Sequence, residues 1–237
     1  MKLLSYLQQN IQLSRRAFTA LIDEGKIFCN TQKVDSYGFI VEEGDIVDVD
    51  QRRLVINMSV QKKQLIAFYK PSGCVVSKAD PHNDTVYSHL PSQFSSFYYI
   101  GRLDKESRGL LLMTNDSKLV DEYEHPSHGM HKSYLVILDK PLRDEQIAAC
   151  LQWVEDEGDL LSMYSVDSAR FSECPDSYFP HDIDGFLFKV VLESWKKRHI
   201  RRMFRALGYH VRDLLRIQEW THELWSLEEW QWKELAI

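Results

Sequence analysis

Residues 101–116, GRLDKESRGLLLMTND, constrain the fold more than any other stretch of the chain. A strand-like approach, Phe97, Tyr98, Tyr99 and Ile100, ends at Gly101. Arg102, Asp104, Lys105, Glu106 and Arg108 follow, and then the apolar run Leu110, Leu111, Leu112 and Met113. A short unbroken apolar run bounded by turn signals reads as a strand buried on both faces. A charged loop therefore surfaces between two strands of one core. Asp104 sits where the buried strand surfaces, beside two arginines. Neighbouring cations hold such a carboxylate ionised, ready to act as a nucleophile or base. The same composition also describes a solvated hairpin tip laced with surface ion pairs.

The wording of the run resembles the signature of the RsuA-type ribosomal RNA pseudouridine synthases, close to GRLD-x-x-[ST]-x-GLLL-[LM]-TND, with Ser117 where that family usually has Gly. The resemblance implies that Asp104 is the catalytic residue. Two further segments match. HKSYLV (131–136) resembles the family's K-x-Y strand and places Tyr134 at its active-site tyrosine. KKRHIRRMFRALGYHV (196–211) resembles a pattern close to R-x-x-QVRRM-x-x-x-x-G-x-x-V, which puts Arg201 at the basic residue that pairs with the catalytic Asp. His199 replaces the usual Gln there, and Ser194-Trp195 replace a Glu-Gly-like entry.

The chain's 237 residues suffice for one large core or two smaller domains. No apolar run approaches the roughly 20 residues of a membrane span. Polar Gln8, Gln9, Asn10 and Gln12 break up any secretory signal, so a cytoplasmic protein is expected. Cys29, Cys74, Cys150 and Cys174 lack CxxC spacing and read as reduced thiols rather than a zinc site or disulfide frame. The net charge of −6 argues against a polyanionic partner until its distribution is seen. Residues 155–184 hold nine Asp or Glu and one basic residue, whereas 196–216 hold eight Lys or Arg and one Asp. Local fields, not the total, attract nucleic acid.

The first 50 residues read as a separate module. Leu3, Leu4, Leu7 and Ile11 have helical spacing, Ser14 is an N-cap for a helix running to Glu24, and Gly25 stops it. Short strands follow at Lys26–Asn30 and within Gly44–Asp50. This order, with the wording LSRRAFTALIDEGKIFCN and VEEGDIVDVD, resembles the small RNA-binding alpha-L domain first described in a ribosomal small-subunit protein. Ser14, Arg15, Arg16 and Lys26 match its polar and basic positions. Amides at a helix start with adjacent arginines make a phosphate site, and arginines unfavourable at a helix N-terminus point to an external anion.

An α+β chain is expected: the alpha-L domain and linker over 1–60, then a catalytic domain over 61–237 with a mainly antiparallel sheet and flanking helices. Strand patterns recur from Gln64 and at 133–139 and 185–193, and helical ones at Asp144–Trp153 and His199–Leu207. In the last helix Ile200, Met203, Phe204 and Leu207 form an apolar stripe, and Arg198, Arg201, Arg202 and Arg205 an offset basic one.

The resemblance implies isomerisation of a specific uridine in ribosomal RNA. The bond from uracil nitrogen to ribose breaks and the sugar rejoins a ring carbon, with no cofactor and no metal. The target nucleotide leaves its stack and is received on an aromatic ring, which suits Tyr134. Asp104 either attacks the anomeric carbon or removes a ribose proton. Arg201 keeps Asp104 ionised, and Arg102 contacts RNA or fills the gap left by the flipped base. Arg198, Arg202 and Arg205 are the further RNA-binding candidates. His125, His128 and His131 have a spacing that raises a metal, but Pro126 and Gly129 favour a loop. Trp220, Trp225, Trp230 and Trp232 lie in an acidic tail, which favours core anchoring over base stacking. A monomer is expected, with small-subunit (16S) rRNA as the favoured target. Large-subunit rRNA, or a non-catalytic RNA-binding or ribosome-assembly role, is the alternative.

Overall fold

A computed structural model describes residues 1–11, 13–58, 62–125, 129–179, 183–224 and 227–237. The chain divides into two compact units: Met1–Lys63 with Pro91–Phe97, and Gln64–Leu90 with Tyr98–Ile237.

The first unit opens with α1 (Leu3–Ile11) and α2 (Arg15–Asp23). Ser14 caps α2, its Oγ accepting from Ala17 N at 3.1 Å, and Gly25 takes the positive φ of 67° that ends the helix. A four-stranded antiparallel sheet follows in the order β2-β1-β3-β4, built from β1 (Ile27–Cys29), β2 (Gln32–Lys33), β3 (Ile46–Val49) and β4 (Arg52–Val55). Leu3, Leu7, Phe18, Ile22, Ile27, Val47 and Val49 form its core. The two helices and strands β1 and β3 fall within the expected spans, because each carries one apolar face, whereas β2 and β4 lie outside the expected strands, at a turn and in the linker, and are strands by their pairing with β1 and β3.

The second unit is built on a nine-stranded sheet. Its strands are β5 (Leu65–Lys70), β6 (Tyr98–Ile100), β7 (Arg108–Thr114), β8 (Lys132–Leu138), β11 (Ser165–Ser168), β12 (Phe186–Leu192), β13 (Val211–Glu219), β14 (His222–Glu223) and β15 (Trp232–Leu235). They lie in the order β11-β12-β8-β13-β7-β5-β15, with β14 on β13 and β6 on β7. The short strands β9 (Val154–Asp156) and β10 (Asp159–Leu161) form a separate hairpin. The helices are α3 (Ser117–Glu124), α4 (Asp144–Gln152) and α5 (His199–Ala206). The large sheet is antiparallel as expected, except where β13 runs parallel to β7. There Gly109 has φ 110°, and a Cβ would collide with the backbone of Arg216.

β7 is buried along its whole length. Its burial extends to Arg108, which belongs to the core and not to the charged loop. Its guanidinium pairs with Asp213 at 2.6 Å with both side chains enclosed. One of the two arginines expected beside Asp104 is thus a structural group joining β7 to β13. Trp220 meets Tyr123 edge-on at 4.7 Å and Trp230 lies 4.0 Å from His89, so these two rings pack on the domain. Trp225, like His128, lies outside the described residues. The ring of His131 packs on Tyr164 at 4.5 Å. All four cysteines are unbridged. Among the described residues no helix is long and apolar enough to cross a membrane.

Candidate active site

A cleft of about 650 Å³ opens in the second unit, with Gly101, Arg102, Asp104, Lys132, Tyr134, Trp195, Arg198 and Arg216 in its lining. Asp104 lies on the loop joining β6 to β7, and the fold holds that loop by its backbone. The fully buried Lys70, at the end of β5, donates to Ser107 O at 2.6 Å and Pro71 O at 2.8 Å, and more weakly to Lys105 O. Gly73 N donates to Lys105 O at 2.8 Å. Burial pushes the Lys70 ammonium down to about 8. At the loop's entry Gly101, with φ 64°, donates its N–H to Glu124 Oε1 at 2.7 Å. A Cβ on Gly101 would lie 2.9 Å from Lys132 Nζ, so the close approach excludes a side chain.

Asp104 is about a quarter exposed and faces Arg198, whose Nη1 lies 3.7 Å from Oδ2 and 2.8 Å from Glu106 Oε2. Arg198 holds Glu106 below the usual carboxylate range through that hydrogen bond. Arg201 does something else. Its Nη2 donates to Glu106 O at 3.1 Å and Ser107 Oγ at 3.4 Å, and its Nη1 to Val211 O at 3.3 Å. The residue expected to pair with Asp104 is therefore drawn onto the loop backbone. The ion-pair position belongs to Arg198, three residues earlier at the helix start. Desolvation lowers the Arg201 guanidinium, and Asp104 reaches it only through the field.

Tyr134 is buried on β8 and lines the same cleft. Burial raises its phenol, while the Arg216 guanidinium beside it acts in the opposite sense. Arg216 was expected only as one charge in a basic segment, yet it is among the largest fully buried side chains. Its Nε donates to Leu110 O at 2.7 Å, and Nη2 lies 3.1 Å from Glu219 Oε2. Glu219 Oε1 is in turn 2.8 Å from Lys132 Nζ, which sits 3.7 Å over the Trp195 ring. Lys132, Arg216, Glu219 and Lys70 were not singled out from sequence. A signal was present for each: Lys132 is two residues before Tyr134 and shares its strand face, and a charged residue inside an apolar strand is rarely buried without a partner.

Two expected RNA contacts are otherwise engaged. Arg202 donates to Asp156 at 2.7 Å and Asp159 at 2.8 Å, and is itself buried. Arg205 donates to Asp156 at 3.1 Å and Glu157 at 2.9 Å. Both hold the acidic β9–β10 hairpin on α5, so the basic stripe is divided between Arg198 on the cleft and Arg202 and Arg205 on the hairpin. Arg102 is exposed at the cleft. In the first unit Arg15 and Arg16 are exposed at the start of α2, whereas Lys26 is paired with Glu24 at 2.7 Å.

A carboxylate on a braced loop, a guanidinium beside it and a buried phenol facing one cleft define a site for acid–base and nucleophilic chemistry. Residues 64–206 match the family described as RNA pseudouridylate synthase, and residues 1–47 match the S4 domain. A dual-specificity RNA pseudouridine synthase RluF of Shigella flexneri is 30% identical over 99% of this chain and 75% of its own length. Ribosomal large subunit pseudouridine synthase B of Xanthomonas campestris pv. campestris is 31% identical over 86% of this chain and 40% of its own. A pseudouridylate synthase crystal structure shares the fold, with a TM-score of 0.64 at 24% identity over 98% of this chain and 94% of that one. The chain belongs to the RNA pseudouridylate synthase family, in its RsuA-type branch. It is a pseudouridine synthase with an N-terminal S4 RNA-binding domain.

Proposed function

We propose that the protein isomerises one uridine of large-subunit ribosomal RNA, with Asp104 as the reacting carboxylate. The observation that carries the chemistry is Asp104 itself, on a loop pinned by Lys70 and lining one cleft with Tyr134. Support for the substrate comes from the relative named for the ribosomal large subunit, which moves the expectation from small-subunit to large-subunit rRNA. The flipped uridine enters the cleft and lies against Tyr134. Asp104, with the Arg198 guanidinium 3.7 Å away, acts on the ribose at C1′ or at the neighbouring C–H. The N1–C1′ bond breaks, the C5–C1′ bond forms, the proton leaves C5, and N1 gains one. The isomerisation is redox-neutral. Arg201 keeps the loop in place, and Arg102 faces the RNA. Arg15 and Arg16 grip rRNA at a second place, and the protein works in the cytoplasm.

The test is to map pseudouridine in both rRNAs from cells with and without the gene, and from cells carrying Asp104→Asn. The expected result is one large-subunit site lost in the deletion and not restored by Asp104→Asn, which is nearly isosteric but removes the nucleophile. Loss of a small-subunit site would redirect the substrate assignment. Full restoration by Asp104→Asn would overturn the mechanism.

A further inference from the structure

Arg216 and Tyr134 stand opposite each other in the register of β13 and β8. Cross-strand neighbours of this kind are the closest side-chain pairs a sheet provides. One step further along, the register slips between Arg216 and Gln218, so that Glu219 faces Lys132. In a regular strand, residues three apart point to opposite faces. The irregularity turns Glu219 to the side that Arg216 and Lys132 already occupy, a use of bulges common beside active sites. Arg216, Glu219 and Lys132 thus form a chain of charges under the cleft, with Tyr134 at its end.

The arrangement fixes the guanidinium. Nε is committed to Leu110 O, and Nη2 forms an ion pair with Glu219 Oε2 at 3.1 Å, while among the described residues neither Nη1 nor Nη2, both buried, has a hydrogen-bond partner. A buried N–H left over in this way is costly unless something it can serve appears nearby. At that end of the cleft, charge develops on the phenol when it loses its proton. From Tyr134's own strand it is faced by Lys132, from β13 by Arg216 and Glu219, and from the loop by Asp104.

Building on the pseudouridine synthase reading above, we propose that Arg216 is a positioning residue that holds Tyr134 as a proton shuttle for the isomerisation. Tyr134 gives its phenolic proton to the uracil as N1 leaves C1′, and the phenolate forms beside the Arg216 guanidinium. Once C5 has joined C1′, the C5–H bond breaks. Its electron pair returns to the ring and its proton goes to the phenolate oxygen. The phenol is regenerated, one proton has moved from C5 to N1, and no other reactant is needed. Preorganised buried charge of this kind acts where charge develops and costs no rearrangement during the step.

The experiment follows tritium release from a large-subunit rRNA transcript labelled at C5 of uridine, in single turnovers at saturating full-length enzyme. Release by the wild type and none by Asp104→Asn establish the reaction. A wild type that releases none overturns the reading of the activity, and this role with it. Arg216→Gln is expected to slow release by roughly 10²-fold, the low end of what a proton-transferring side chain contributes, and to move the alkaline fall of the rate, where the phenol ionises before it can donate, to higher pH. Arg216→Lys, which keeps a charge, should recover part of the rate. In a Tyr134→Phe background the same Arg216 substitutions should cost less than about 2-fold, because the group through which Arg216 acts is gone. Equal losses in both backgrounds, or a loss that is parallel at every pH, would mean that Arg216 only supports the sheet. If Arg216→Gln does not fold, Arg216→Lys carries both comparisons.

Discussion

Arg198 has a left-handed backbone, φ 55° and ψ 32°, at the residue that starts α5. A side chain there costs of order 1 kcal/mol relative to ordinary backbone, and such residues cluster at functional sites. From this position its guanidinium reaches Glu106 and Asp104, while Arg201, one helical turn on, reaches the loop backbone. The two arginines should separate in experiment. Arg198→Ala removes a partly exposed ion pair, worth about 0–1 kcal/mol, so stability should change little while the single-turnover rate falls. Arg201→Ala leaves the carbonyls of Glu106 and Val211 without their donors, a loss of about 1–3 kcal/mol, and the melting temperature should drop. Thermal melts and single-turnover rates on both variants decide it. A normal rate for Arg198→Ala, with a collapsed rate at unchanged melting temperature for Arg201→Ala, returns the role to Arg201. From sequence the two differ by three positions in one basic stripe, and nothing in that spacing says which one meets the carboxylate.

At the scale of elements, α5 shows why a helical pattern is legible and its neighbours are not. The apolar stripe of Ile200, Met203 and Phe204 is buried as expected, since amphipathic periodicity is set by the helix itself. The basic face is shared out by partners more than 40 positions away, at Asp156 and Asp159. The helix also carries a pH-sensitive group. His199 is buried, its Nδ1 accepts from Lys196 N at 3.3 Å, and burial lowers it from 6.5 to about 4. Its folded-state value lies below its unfolded one. Its stabilising contribution is therefore full above about pH 6.5 and is lost as the pH falls toward 4, because the unfolded chain binds the proton first. The shift corresponds to roughly 3 kcal/mol in order of magnitude. Urea unfolding of wild type and His199→Gln at pH 7.5 and 4.5 should show a smaller acid loss in the variant by most of that amount. An equal acid loss in both would mean that His199 is protonated in the folded protein.

On the scale of the whole molecule, the two units hold different resources: exposed arginines at the start of α2 in the first, and the cleft in the second. Arg15→Glu with Arg16→Glu should raise the apparent Michaelis constant and lower the slope of log affinity against log salt by roughly 1.5–2, as about two phosphate contacts are lost. The chemical rate at saturating RNA should stay near normal, since Asp104, Tyr134 and Arg198 belong to the other unit. Salt-dependent binding and single-turnover rates test this together. An unaltered salt slope means that the two arginines are only surface charge, and a lost chemical rate means that the S4 domain takes part in the reaction.

Sequence alone determined those properties that depend on neighbours along the chain. The period of α2 and α5, the cap at Ser14, the turn glycine at Gly25 and the burial of β7 follow from local propensity and patterning. The GRLD loop was also legible, since a charged loop between two apolar strands has to surface, and its wording matched a known signature. Tertiary structure decided whatever depends on which strands lie side by side. The parallel meeting of β7 and β13 took Arg108 out of the loop and into a buried pair with Asp213. The register of β13 on β8, with its slip between Arg216 and Gln218, brought Arg216, Glu219 and Lys132 together under Tyr134. A one-residue change of register reverses the face of every following side chain, so a strand's sequence cannot reveal its pocket-facing charges until its partner strand and their register are known.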